Sequence, residues 1–106
     1  MAAARAASRP VVVDFTATWC PTCNTFVKPA FESAKVQRKL RQVNAVCLVA
    51  DYSLSPPEIH EELQRFRRDG VPLVLVYPRD PSAPPMVFDL PTASTIVKAL
   101  DQAARL

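Results

Sequence analysis

The sequence contains almost no glycine. A single Gly and eleven Pro occur among its 106 residues, so Pro, Asp, Asn and Ser must form most of the turns. A glycine-rich phosphate-binding loop cannot be placed in such a chain. Nucleotide binding of the Walker and Rossmann types is therefore excluded.

Long hydrophobic runs are absent as well. No stretch of about 18 apolar residues exists, so no membrane-spanning helix is predicted. The opening residues, MAAARAASRP, lack the apolar block of a signal peptide. We interpret residues 1–9 as a linker or cloning remnant and residues 10–106 as one domain. With 49% hydrophobic residues, a domain of this length can form one core without disulfide staples.

A strong charge of one sign is also missing. Thirteen Lys and Arg residues stand against ten Asp and Glu, which gives a net charge of +3 and requires no polyanionic partner. The basic cluster Lys35, Arg38, Lys39 and Arg41 is interpreted as a solvated helix face. We therefore expect no nucleic acid partner.

The three cysteines do not form a disulfide scaffold. Cys20 and Cys23 are too close in sequence to staple distant elements, and Cys47 would stay unpaired. Redox chemistry and metal binding remain. A zinc site needs two further ligands, and only Cys47 and His60 are candidates, without paired spacing. Redox chemistry is favoured, Cys47 is expected to be a small buried residue of a strand, and His60 is expected to be solvated.

The hydrophobic pattern predicts an α/β domain with four strands. Continuous apolar runs are typical of strands covered on both faces, and a mixed sheet flanked by helices follows from the order of the elements. The predicted strands span residues 11–16, 43–49, 71–77 and 86–89. Helices are predicted after Cys20, Ala34, Ser55 and Thr92.

Several residues are predicted to shape these helices. Pro29 should kink or split the first one. Ser55 should cap the third helix, with Glu58 closing a capping box, and Gly70 should end it. Thr92 should cap the last helix.

The segment Cys20-Pro21-Thr22-Cys23 carries the chemistry. It lies where the first strand passes into a helix, and a helix N-terminus favours a thiolate over a thiol. The pKa of a cysteine, ordinarily about 8.5, falls to roughly 3.5–7.5 in such motifs. Cys20 is therefore the candidate nucleophile and Cys23 the thiol that resolves a mixed disulfide.

Two further positions point to the same site. Asp14 lies within an apolar strand, where burial should raise its pKa and make it a proton acceptor for Cys23; the alternative is an aspartate that faces solvent. Pro72 opens a buried strand, which fits either a cis peptide bond or an ordinary strand start. Val71 could offer backbone groups to an extended partner, and exposed apolar surface at Trp19, Pro21 and Val71 would dock partner proteins.

Together these motifs resemble the thioredoxin superfamily over roughly residues 10–104. The resemblance implies a thioredoxin-like fold with Cys20 as nucleophile, Cys23 as resolving cysteine and Asp14 as the buried acid. It also implies Trp19 as a shield beside the thiols and a cis bond at Val71-Pro72. The matching segments are Val13-Asp14-Phe15, Trp19-Cys20-Pro21-Thr22-Cys23 and Gly70-Val71-Pro72.

Within that superfamily the segment from Phe31 to Leu40 is similar to the C-terminal domain of DsbD-type thiol:disulfide interchange proteins. This implies a monomeric periplasmic domain, without a bound cofactor, that takes electrons from a membrane-embedded donor and reduces protein disulfides, including partners in cytochrome c biogenesis. A cytoplasmic location, a disulfide isomerase or oxidant, and a non-catalytic binding module are the alternatives. The chain departs from the family pattern at Cys47, where thioredoxins have a lysine, at Val27, and at Asp89, where they have a glycine.

Overall fold

Four strands form one mixed sheet. The structure, a computed structural model, describes residues 7–105. In the order β2-β1-β3-β4, β1 pairs in parallel with β2 and antiparallel with β3, which is antiparallel to β4. The predicted central mixed sheet is confirmed. Its strands are β1 (Val11–Thr16), β2 (Val46–Asp51), β3 (Leu73–Tyr77) and β4 (Met86–Phe88).

The helices pack on both faces of this sheet. Helices α1, α2 and α4 cover one face, and α3 covers the other. A π-helical turn, Cys23–Val27, leads directly into α1. The four α-helices are α1 (Lys28–Glu32), α2 (Ala34–Gln42), α3 (Pro57–Arg65) and α4 (Ala93–Arg105).

The two inner strands separate two apolar clusters. Val12 and Val76 contribute to the cluster under α1, α2 and α4, whereas Phe15 and Leu75 contribute to the cluster under α3. Because side chains of a strand alternate between faces, a strand covered on both sides needs an apolar residue at nearly every position. This is why β1 and β3 appear in the sequence as continuous apolar runs.

The first helix changes its pitch immediately before Pro29. Residues 21–32 are helical without interruption, but residues 23–27 form the wider π turn. Pro29 lies inside this continuous helical stretch and has no N–H to donate to a preceding carbonyl, which suits the change of hydrogen-bond pattern at the π turn just before it. The chain then becomes extended at Ser33, with ψ of 147°. The expected kink or split therefore takes the form of a π turn before Pro29 and a break at Ser33 after it.

The predicted capping box of α3 is wrong. The helix begins at Pro57 with Pro56 at its N-cap, and no side chain caps it. Ser55 instead adopts a left-handed backbone conformation with φ of 50°, which belongs to the preceding turn and not to an N-cap residue.

The predicted end of α3 at Gly70 is also wrong. The helix ends at Arg65, and Arg67 takes the left-handed conformation with φ of 59°. The backbone N–H of Arg68 then donates to the Leu63 carbonyl at 3.0 Å, which satisfies a free carbonyl of the last turn. An arginine thus serves where sequence rules expect glycine.

Strand β2 lies at the edge of the sheet. It begins at Val46 and not at Val43, because Asn44, with φ of 57°, forms the turn out of α2. Its exposed residues alternate with half-buried ones, and Cys47 is exposed. The prediction that Cys47 is buried is wrong, because an apolar run does not reveal whether both faces of a strand are covered.

His60 is not simply solvated, contrary to expectation. It is half-buried, its Nδ1 lies 2.8 Å from the Tyr52 hydroxyl, and its ring stacks on that of Tyr52 at 6.1 Å between centroids. The helical periodicity placed His60 on the outer face of α3, but the loop after β2 folds over it.

The cap of the last helix is as predicted. The N–H of Thr95 donates to Thr92 Oγ1 at 3.1 Å, and α4 buries Ile96 and Leu100 against the sheet. A threonine side chain here satisfies one of the free N–H groups of the first turn.

Residues 1–6 of the predicted linker lie outside the described residues. Arg9, its last residue, donates from Nε to the Asn44 carbonyl at 2.9 Å, and Pro10 is buried. No helix between residues 7 and 105 combines the length and apolar character needed to cross a bilayer.

Leu63 should be essential for attaching α3 to the sheet. Its side chain is fully buried in the cluster with Phe15 and Leu75. Truncation by Leu63→Ala should lower the free energy of unfolding by about 2–5 kcal/mol, because it leaves a cavity. Gln64→Ala, at an exposed neighbour, should change it by less than about 0.5 kcal/mol. Equal losses in urea titrations of the two variants would contradict this packing.

Candidate active site

The two cysteines lie at the point where β1 passes into the first helix. β1 ends at Thr16, the N–H of Cys20 closes a turn onto the Ala17 carbonyl at 3.2 Å, and helical structure begins at Pro21. Proline suits this first helical position because it has no N–H to leave unpaired. Cys20 and Cys23 are joined as a disulfide with 5.3 Å between their Cα atoms.

One backbone N–H group of this turn points at the sulfur of Cys20. The N–H of Cys23 donates to Cys20 Sγ at 3.1 Å. In the reduced state the same N–H would face a thiolate, and hydrogen bonds to charged acceptors are stronger than neutral ones. Cys20 retains 4% of its surface exposed and Cys23 only 1%. Cys20 is therefore the slightly more accessible of the two buried cysteines.

Trp19 is held beside the disulfide by the chain that follows β2. Its indole Nε1 donates to the Ser53 carbonyl at 3.0 Å, while Ser53 Oγ accepts from the Thr18 N–H at 2.8 Å. The Trp19 ring also meets the Tyr52 ring edge-on, with centroids 6.3 Å apart. Trp19 nevertheless keeps 55% of its surface exposed, so it provides a fixed apolar surface next to Cys20.

Ser53 is in turn fixed by Asp51. The Asp51 carboxylate accepts hydrogen bonds from the Ser53 hydroxyl and from its N–H, which lowers the pKa of Asp51 because both bonds favour the charged form. Sequence reasoning missed Asp51, Tyr52 and Ser53 as parts of the site. No local signal identifies Ser53, since its contacts with Thr18 and Trp19 reach residues more than thirty positions away, and Asp51 belongs to the site only through Ser53.

A second loop reaches the disulfide from the start of β3. The Val71-Pro72 peptide bond is cis, and the Val71 carbonyl oxygen lies 4.0 Å from Cys20 Sγ. Both residues are half-buried, whereas Pro21 is exposed. The structure thus places Val71 against the same sulfur that Trp19 borders.

Arg68 attaches this second loop to the end of β4. Its guanidinium donates to both carboxylate oxygens of Asp89, at 2.6 and 3.0 Å, and to the Phe66 carbonyl at 2.7 Å. The paired geometry raises the pKa of Arg68 and fixes orientation as well as distance. Asp89, one of the departures from the family pattern, therefore forms a contact that a glycine could not.

Asp14 lies on the β1 face that carries α1. It is half-buried, and its Oδ1 is inaccessible and accepts no hydrogen bond from residues 7–105. Burial raises the pKa of Asp14 to about 6, because the charged form loses its solvation. Although Cys47 as a residue is exposed, partial desolvation of its thiol and, to a lesser extent, the Asp14 charge raise the pKa of Cys47.

An open pocket of about 270 Å³ leads from solvent to Asp14. Asn24, the residue after Cys23, lines the same pocket, as does Lys28 from α1. The pocket is large enough for several water molecules, and it connects Asp14 with Asn24, although Cys23 itself does not line it. No group of three or more His, Cys, Asp or Glu side chains suited to a metal ion occurs in the described part of the chain.

Comparison with known sequences gives a consistent set of relatives. Residues 1–79 match the family model described as thioredoxin-like. The thiol:disulfide interchange protein DsbD of Yersinia pestis (strain Pestoides F) is 36% identical over 74 residues, which is 70% of this chain and 12% of that protein. DsbD of Ralstonia nicotianae is 32% identical over 102 residues, or 95% of this chain and 16% of that protein. The chain thus spans less than a fifth of the length of these relatives.

Solved structures show the same fold. The reduced C-terminal domain of Neisseria meningitidis DsbD superposes with a TM-score of 0.68 at 23% identity, covering 96% of this chain and 88% of that one. A thioredoxin from Thermus thermophilus gives a TM-score of 0.66 at 26% identity, with 95% and 78% covered. The family model, the sheet order and the cysteine turn agree, and the chain belongs to the thioredoxin-like family.

Proposed function

We propose that the chain is a protein thiol-disulfide oxidoreductase that reduces disulfides of partner proteins. The observation that carries this proposal is the Cys23 N–H directed at Cys20 Sγ at 3.1 Å, next to a nearly buried second sulfur. The similarity to DsbD proteins, which are named as thiol:disulfide interchange proteins, supports the same chemistry.

The reaction needs two exchange steps. The Cys20 thiolate attacks one sulfur of the partner disulfide, a bond forms between them, and the other partner sulfur leaves as a thiolate. The Cys23 thiolate then attacks Cys20 Sγ, forms the Cys20–Cys23 disulfide, and releases the first partner sulfur. Two electrons pass to the partner, whose two sulfurs become thiols after protonation.

Asp14 would serve the second step. Cys23 must lose its proton before it can attack, and a carboxylate with a pKa of about 6 is a suitable acceptor near neutral pH. The transfer would pass through water in the pocket that Asp14 shares with Asn24. Asp14 is thereby assigned the role of general base, and no bound cofactor is required.

Trp19, Pro21, Val71 and Pro72 would bind the partner. Trp19 and Pro21 are exposed next to Cys20, and Val71 lies against its sulfur. An extended segment with a disulfide could pair with the backbone of Val71 while its cysteine meets Cys20.

The similarity to DsbD also supports a location and an electron donor for the domain. We propose that residues 10–106 form a monomeric periplasmic domain of a membrane protein and that the membrane-embedded part of that protein re-reduces it. The reducing direction can be tested by equilibrium with glutathione: a potential above roughly −200 mV would favour an oxidant or isomerase instead.

Cys20 should be selectively reactive when the protein is reduced. At about pH 6 an ordinary thiol is almost fully protonated, whereas a Cys20 thiolate would react quickly with iodoacetamide. Mass spectrometry should find the label on Cys20 and little on Cys23 or Cys47. Equal and slow labelling of all three cysteines would favour the non-catalytic binding module.

A Cys23→Ala variant should accumulate mixed disulfides. Without the resolving thiol the disulfide between Cys20 and the partner persists. Non-reducing gels should show this mixed disulfide after the reduced variant is incubated with insulin, a disulfide-bonded protein. Cys20→Ala should trap nothing, and Cys47→Ala should behave like the unsubstituted chain. Trapping through Cys23 in the Cys20→Ala variant would reverse the assigned roles.

Asp14→Asn should change the pH dependence of stability. The pKa of Asp14 is about 6 in the folded chain, against 3.8 for an unperturbed aspartate, so the folded state holds a proton that the unfolded state releases between these values. The free energy of unfolding of the unsubstituted chain should therefore fall as pH rises across this interval, by about 2 kcal/mol after allowance for partial solvent access. Asp14→Asn should remove this fall in urea titrations.

The same variant should slow resolution of the mixed disulfide. Loss of a general base reduces a proton transfer by about a hundredfold, so release of a peptide bound through Cys20 should slow while its attack does not. Glu61→Gln, which alters an exposed carboxylate of α3 outside the site, serves as the comparison. An unchanged release rate in Asp14→Asn would contradict the assigned role.

A further inference from the structure

His60, the single histidine of the chain, takes no part in the two exchange steps. It lies near the start of α3, where its N–H donates to the Pro56 carbonyl at 3.0 Å. The buried Leu63 attaches the same helix to the sheet. The imidazole is therefore carried by a fixed element, and a side chain on a rigid element can hold a second side chain in one place.

The Tyr52 ring joins His60 to the cysteine turn. Its hydroxyl lies 2.8 Å from His60 Nδ1, and the two rings stack with centroids 6.1 Å apart. The Tyr52 ring also meets the Trp19 ring edge-on, with centroids 6.3 Å apart. Tyr52 is buried in the apolar cluster that contains Cys20 and Cys23. One ring thus contacts both an imidazole on α3 and the indole that precedes the nucleophile.

Packing alone does not account for the Tyr52 hydroxyl. A phenylalanine would fill the same cluster without a polar group, whose burial costs free energy unless a partner satisfies it. The Tyr52 backbone is already fixed, because its N–H donates to the Thr16 carbonyl at 2.7 Å and its carbonyl accepts from the Ser55 N–H at 3.0 Å. Rotation of the side chain remains, and a hydrogen bond at the far end of the ring restricts that rotation. A phenolic hydroxyl can donate to an imidazole nitrogen or accept from it, so the bond is available to the neutral and to the protonated imidazole.

Trp19 needs this support because 55% of its surface is exposed. Its Nε1 donates to the Ser53 carbonyl at 3.0 Å, but a bond through one atom leaves the indole plane free to turn. The edge of the Tyr52 ring limits this turning. A mobile indole would have to be immobilised whenever a partner covers it, and ordering one side chain lowers an association constant by a factor of about five.

We propose that His60 and Tyr52 are positioning residues of the exchange reaction. The hydrogen bond between them holds the Tyr52 ring against Trp19 and so keeps the indole in one orientation beside Cys20. The inference rests on the proposed function, because the orientation of Trp19 affects the rate only when a partner disulfide reaches Cys20. It gives α3, which carries none of the residues assigned to the reaction, a part in that reaction.

Fluorescence anisotropy tests the link to Trp19 without any reaction. The chain has one tryptophan, so selectively excited indole emission reports on Trp19 alone. His60→Leu removes the hydrogen bond and should lower the anisotropy, because the indole gains motion on the nanosecond timescale. His60→Asn, whose amide can replace Nδ1 as a hydrogen-bonding group, should retain it, as should Gln64→Leu at an exposed position of the same helix. An unchanged anisotropy in His60→Leu would overturn the inference.

The rate of exchange tests the link to the reaction. Each variant is reduced and mixed with a peptide that contains one intramolecular disulfide, and the second-order rate constant of oxidation is measured by acid quench. His60→Leu should react about fivefold more slowly, whereas His60→Asn and Gln64→Leu should react at the rate of the unsubstituted chain. A His60→Asn variant as slow as His60→Leu would overturn the inference, because the restored hydrogen bond would then have no effect.

Tyr52→Phe provides a second variant, which keeps the ring and removes the hydroxyl. If the hydrogen bond carries the effect, Tyr52→Phe and the double variant Tyr52→Phe/His60→Leu should each be about fivefold slower, since one bond can be lost only once. Losses that multiply in the double variant, in chains that urea titration shows to be folded, would overturn the inference while the proposed function stands. Failure of the unsubstituted reduced chain to react with the peptide would instead contradict the proposed function itself.

Discussion

The site depends on one short turn between a buried strand and a helix. β1 is paired on both sides, so its last residues cannot shift without disturbing two ladders. The turn that follows brings the Cys23 N–H to Cys20 Sγ, and a donor held in place by the backbone stabilises a developing thiolate without reorganisation. A sulfur at the same sequence spacing on a flexible loop would have no such donor in a fixed direction. The reactivity assigned to Cys20 is therefore a property of the sheet as much as of the motif.

Two loops complete the site, and both are attached by long-range polar contacts. Ser53 fixes the Trp19 side through hydrogen bonds that span 34 and 35 residues, and the Arg68–Asp89 pair fixes the loop that carries Val71. Surface ion pairs contribute little to stability, but a bidentate pair restricts geometry. The main effect of these contacts is to position Trp19 and Val71 relative to Cys20 Sγ.

Features that depend on local chemistry could be predicted from the sequence. β1, the Cys20–Cys23 turn and the Thr92 cap each have a local residue pattern, and the structure agrees with them. Local chemistry left the Val71-Pro72 bond open between a cis bond and an ordinary strand start, and the cis form that the structure shows was implied only by the family resemblance. Features that depend on neighbours were missed or predicted wrongly. Cys47 is exposed because it lies on the exposed face of the edge strand β2, and α3 ends at Arg65 because an arginine adopts the left-handed conformation. The role of Ser53 was invisible because its partners are distant in sequence.

Asp14 lowers the stability of the fold, yet it has a chemical use at its place in an apolar strand. A carboxylate with an unpaired buried oxygen lowers the stability of the fold when it ionises, and an apolar residue of similar size would avoid that cost. A lysine at the position of Cys47 would offset the charge and hold the pKa of Asp14 near its ordinary value. Cys47 instead leaves burial as the cause of the raised pKa of about 6, which keeps the carboxyl close to half-ionised in mildly acidic solution. The same absence of a compensating charge that destabilises the domain thus makes Asp14 able both to accept and to return a proton.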